Sequence, residues 1–179
     1  MPFVGGLLGG DRKSLVTPAG GLIVAAGALT KIITIQPTVE ATPDYSAGDL
    51  VGGKLTLAGA ARVLGGTGTI INLGILSKVD IAVATRVILF KSNPSATTFT
   101  ENGALSIDAA DVDKIFWSIE IAAADFADMG TPEVASKAVN IPFQCLEGSA
   151  DLYACMQTDG TINLGSTSDL TFTFGIKQD

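Results

Sequence analysis

"SDLTFTFGIKQD", residues 168–179, decides the fold. Leu170, Phe172, Phe174 and Ile176 share one parity, and Thr171, Thr173 and Lys177 the other. A period of two means successive side chains alternate between the faces of a β-strand. One apolar and one polar face is the pattern of an antiparallel sheet packed on a single core.

Strand-like segments recur upstream. They are "KIITIQPTV" (31–39), a segment at 53–58, a long one near 69–79, and "TRVILFKS" (85–92). "DKIFWSIEIAAAD" (113–125), "SKAVNIPFQCL" (136–146) and "ADLYACMQT" (150–158) follow. Trp117, Ile119 and Ile121 alternate with Ser118 and Glu120, which places Trp117 in the core rather than on a sugar-stacking platform. "GGTG" (65–68) lacks the Lys and Ser/Thr of a phosphate loop and reads as a hairpin turn. Only "SIDAADVDK" (106–114) reads as helical, one or two turns capped by Ser106 or Asp108. Eight or nine strands separated by Gly, Pro, Asp and Ser turns predict an all-β protein, an antiparallel jelly-roll-like β-sandwich.

Between two of these strands lies "LFKSNPSATTFTENGALSID" (89–108). Asn93-Pro94 and Asn102-Gly103 are turn signals, and Thr97, Thr98 and Thr100 favour extended backbone. It is expected as a long ordered excursion, its ends pinned by Phe90 and Ile107, at a subunit–subunit or subunit–capsid contact.

Composition narrows the chemistry. The chain has 179 residues, is 47% hydrophobic and 16% charged, and carries a net charge of −7. It is large enough to fold without a disulfide or metal staple. An acidic chain is repelled by phosphate backbones, so no nucleic-acid partner is expected. There is no His, which removes the commonest general base and metal ligand. Ser14, Ser46 and the other serines therefore have no Ser-His-Asp triad to join. Asp108, Asp111, Asp113 and Glu120 are the densest acidic group. Paired carboxylates at the right separation could hydrolyse a glycoside. An EF-hand is disfavoured because Asp111 and Asp113 have no following Gly. The plainer reading is charge at the start of a short helix. Lys54, Lys78 and Lys91 read as solvated strand positions. No catalytic, cofactor-binding or metal-ligating residues are assigned, and no enzyme activity or cofactor is expected.

Cys145 shares parity with Val139, Ile141 and Phe143, and Cys155 with Tyr153 and Gln157. Two free, mostly buried thiols are expected, with a hairpin disulfide as the alternative. Residues 1–30 contain an apolar run from Ala19 to Leu29, far short of the roughly 20 residues that span a bilayer, so no membrane partner is expected. Seven Gly among the first 27 residues disfavour a helix. The segment reads as an extended apolar arm, residues 1–30, ahead of a β-sandwich domain, residues 31–179. Such an arm packs on its own domain, a sister subunit or another protein.

"LVGGKLTLAGAARVLGGTGTIINLGILSK", "RVILFKSNPSATTFTENGALSIDAADVDKIFWSIEI" and "STSDLTFTFGIKQD" resemble a family of tailed-bacteriophage virion proteins. The resemblance covers about residues 31–179 and implies a capsid decoration, or cement, protein. Such proteins sit on the outer surface of the head as oligomers, with the major capsid protein as partner. It implies a homo-oligomer, with a trimer favoured, made in the host cytoplasm and located in the virion. A head fibre, a tail or receptor-binding component, or a carbohydrate-binding or carbohydrate-active sandwich are the alternatives.

Overall fold

The computed structural model describes residues 15–16, 22–23 and 29–179. The first two strands, β1 (Leu15–Val16) and β2 (Leu22–Ile23), pair with each other. Strand β3 (Leu29–Ile35) begins inside the range assigned to the arm, and the rest of that arm otherwise lies outside the described residues. Eight further strands follow: β4 (Leu50–Leu57), β5 (Thr67–Ser77), β6 (Thr85–Phe90), β7 (Ile115–Ile121), β8 (Phe126–Asp128), β9 (Glu133–Gln144), β10 (Leu152–Thr158) and β11 (Leu170–Gln178). Short 3-10 turns span Ala109–Lys114 and Ala123–Asp125.

The strands form two antiparallel sheets, β4-β10-β6-β7 and β3-β11-β5-β9-β8. Leave aside the three-residue edge strand β8 and count the long strands from β3 in chain order. The sheets then read 2-7-4-5 and 1-8-3-6. First pairs with eighth, second with seventh, third with sixth, fourth with fifth. This is one antiparallel ribbon rolled over itself, the jelly roll. The expected fold class is what the chain adopts.

The core lies between the sheets. On β11, Leu170, Phe172, Phe174 and Ile176 are fully buried, as their alternation requires. Burying each such side chain is worth roughly 1.5–3 kcal/mol over leaving it exposed. β5 does not alternate cleanly, because it carries one extra residue, Ile71, against β11. That bulge lets Ile70 and Leu73, of opposite parity, both face the core.

Two expectations are corrected. Gly65 and Gly66 do not close a hairpin. They end a crossover, because β4 pairs in one sheet and β5 in the other. Rolling the ribbon separates strands that are neighbours in sequence. Trp117 is 51% exposed rather than core. Leu89 faces Trp117 but Phe90 faces Ile115, so β7 bulges at Phe116. Phe116 packs against the main core in its stead, and Trp117 stays at the open edge of its sheet.

Candidate interaction surface

The excursion after β6 is a built lid. β6 and β10 alternate, so Phe90 and Cys155 point away from the main core and join Leu50 in a second apolar cluster on the outer face of their sheet. Residues 91–108 lie over it. Phe99, Leu105 and Ile107 pack down on this cluster, and the Phe99 ring meets Phe90 edge-on, 6.3 Å between centroids. Both expected pins, Phe90 and Ile107, hold the lid to the sandwich.

Polar anchors fix the lid at each end. Asp111, fully buried, accepts N–H bonds from Ala96 (3.0 Å) and Thr97 (2.6 Å) and pairs with the Lys114 ammonium at 2.7 Å. Thr97 Oγ1 in turn accepts from the Asp108 N–H. Burial alone would raise the Asp111 pKa; hydrogen bonds from Lys114 and Thr97 outweigh it and hold the carboxyl at about 2. Lys114 also donates to Asn93 O, and Lys54 to Asn93 Oδ1 while lying 5.8 Å from the Phe99 and Tyr153 ring centroids. At the far end Glu101 Oε1 accepts from the Tyr45 hydroxyl and from Gly52 N–H. Burial, then the Glu101 contact, pushes the Tyr45 hydroxyl pKa up. Backbone bonds Asn102 N–H to Leu50 O, Leu50 N–H to Gly103 O and Leu105 N–H to Gly48 O stitch the lid along the edge of β4.

The acidic group does not converge. Asp108 caps its turn through Ala110 N–H, Asp113 is exposed, and Glu120 lies exposed on β7. Asp111 is a structural anchor, more than the helix-start charge expected of it. Among the described residues no three acidic or Cys side chains form a group that could hold a metal ion. Ser46 is exposed, its N–H bonded to Asp49, and Ser14 lies outside the described residues. Lys78 donates to Ser168, and Lys91 is exposed. Lys54 is a lid anchor rather than a merely solvated lysine. Cys145 and Cys155 are free and buried, and burial pushes both thiols up, Cys155 to about 12.

A second surface escaped the sequence reading. Leu29 (53% exposed), Val63 (64%), Leu64 (69%) and Leu146 (56%) all stand at the end of the sandwich where β3 begins. The crossover 58–66 and the loop 145–151 are tied there by Ala61 N–H to Ala150 O, Gly65 N–H to Ser149 O and Cys145 N–H to Gly66 O. Lys31 Nζ and Gln178 Nε2 clamp the start of the crossover through Ala58, Gly59 and Ala60 carbonyls. The signal available in sequence was the apolar pair Val63-Leu64 beside Gly65-Gly66, an unusual content for a turn.

No protein-family model and no curated protein matches the chain, the tailed-phage family resemblance included. Among solved structures it is similar to a chain titled Desmodium yellow mottle tymovirus, at 12% identity and a TM-score of 0.27, covering 99% of this chain and 93% of that one. It is also similar to a chain titled turnip yellow mosaic virus, at 12% identity and a TM-score of 0.26, covering 93% and 89%. The strand order defines the jelly roll independently of either.

Proposed function

We propose that the chain is a non-enzymatic structural virion protein that decorates a tailed-phage capsid. In this reading it binds the outer surface of the head, with the major capsid protein as partner, as a homo-oligomer, a trimer favoured. The observation that carries it is a jelly roll, a fold used for capsids, whose longest loop is fixed as a lid and whose one end is apolar and exposed. Pinned loops and exposed apolar groups suit a binding body. The step from fold to capsid is analogy, joined by the sequence resemblance of residues 31–179. Many copies, each binding weakly at several points, gain hold by multivalency. Residues 1–28, apolar and Gly-rich, supply the arm that subunits exchange.

Copy number in purified particles tests this. Decoration requires many copies spread over the head, whereas a fibre, tail or receptor-binding part requires few. Absence from particles ends the virion reading. Removing residues 1–28 is expected to leave the sandwich folded and to abolish assembly or capsid attachment.

One observation favours a second reading. Trp117 is half exposed on an edge strand, and an exposed ring of this kind suits stacking on a sugar. A broad glycan panel with the native chain and Trp117→Ala checks it. Binding that Trp117→Ala removes supports this reading, and a blank panel removes it.

A further inference from the structure

We infer that the end bearing Leu29, Val63, Leu64 and Leu146 is the seat for the N-terminal segment, residues 1–28, of a second copy of the chain. This rests on the oligomeric reading above and says where the exchanged arm lands. Single exposed leucines are ordinary, but four of the ten large exposed hydrophobics among the described residues share this one end. Their neighbours Ala60, Ala61 and Cys145 are buried, so the end is packed beneath and exposed only at its tips. The hydrogen bonds between crossover, loop and β3 hold those tips in place before any partner arrives, which lowers the ordering cost of binding. Exposed Arg62 and Glu147 flank Val63 and Leu146, giving an apolar centre with a charged rim.

The occupant follows from where the chain enters. Residues 1–28 run into β3 at Leu29, at this same end. They carry three charges, at Asp11, Arg12 and Lys13, among apolar and Gly residues. With the β1–β2 pairing kept, the residues on either side of it still reach roughly 60 Å if extended, against roughly 40 Å for β9. The reach suffices for a neighbour. The oligomeric reading makes a second copy the donor, and the chain's own segment is the outcome that an intra-chain link would reveal. In a closed ring each subunit then gives one segment and receives one.

The test uses full-length protein. Leu64→Cys and Ile23→Cys chains are mixed, co-assembled and oxidised, and mass spectrometry seeks the 23–64 link. An inter-chain link is expected. In parallel, Val63→Asp with Leu64→Asp is expected to weaken assembly about tenfold or more, with near-ultraviolet circular dichroism unchanged. A 23–64 link found only within one chain overturns the proposal, as does unchanged assembly with no link. Intact assembly with lost capsid attachment also overturns it, because the end then faces another protein. Leu22→Asp with Ile23→Asp separates the two levels. If it dissociates the oligomer while Val63→Asp with Leu64→Asp does not, only the seat is wrong. If neither does, the exchanged arm itself is wrong.

Discussion

Asp111 is a buried charge that pays its way through three donors, the Ala96 and Thr97 N–H groups and the Lys114 ammonium. Removing it strands two loop amides and leaves the Lys114 ammonium with the Asn93 carbonyl alone. Asp111→Ala is therefore expected to speed hydrogen exchange at Ala96 and Thr97 while β5 and β11 amides keep their protection. Unchanged exchange at both amides would remove the anchor role. The pH dependence has a definite sign. The folded pKa, about 2, lies below the ordinary 3.8, so the carboxylate's contribution is complete above the ordinary value and is lost as pH falls through about 2. The Thr97 amide resonance should titrate with that midpoint, and a midpoint near the ordinary value would refute the pairing. Spacing alone placed Asp111 in a turn capped by Ser106 or Asp108, and Asp108 is the cap. It could not reveal that Ala96 and Thr97 fold back on it, because that contact depends on the lid closing over Leu50, Phe90 and Cys155.

At the scale of elements, β4 is bent where Gly52 and Gly53 oppose the step from Ala154 to Met156 on β10. Gly52 has φ +80°, and a Cβ there would sit 2.8 Å from Pro37 Cγ. Gly52→Ala should cost roughly 1–3 kcal/mol, from the left-handed backbone and the contact together. Gly48, at φ +95° with nothing within 4 Å of its Cβ position, isolates the backbone part when replaced by Ala. Urea midpoints at equal m-value compare the two, and equal losses would discount the Pro37 contact. Strands without bulges were legible from their pattern, β11 above all. β7 was not, because one extra residue at Phe116 moves Trp117 out of the core without altering the alternation on the page. Likewise nothing local in "GGTG" says that β4 and β5 part to different sheets; their partners, β10 and β11, lie far along the chain.

At the scale of the molecule, the described residues form two apolar clusters, each with one thiol: Cys145 in the main core and Cys155 beneath the lid. With both pKa values raised by burial, neither should react at neutral pH until the protein opens. In the native protein both are expected to label in one phase, as a single cooperative unit unfolds. In Asp111→Ala, Cys155 should label first. Simultaneous labelling in that variant would mean that the lid does not open by itself. The order of the larger sheet has a further consequence. β11 lies between β3 and β5, so of the described strands the one last made is the one that joins β3 to β5. Until Leu170–Gln178 emerge, β3 has no described neighbour in its sheet, and most of the chain must wait without a finished core. Synthesis, not local propensity, therefore sets the earliest moment at which this sandwich can close, and in stalled nascent chains ending before Leu170 the β3 segment should remain open to protease.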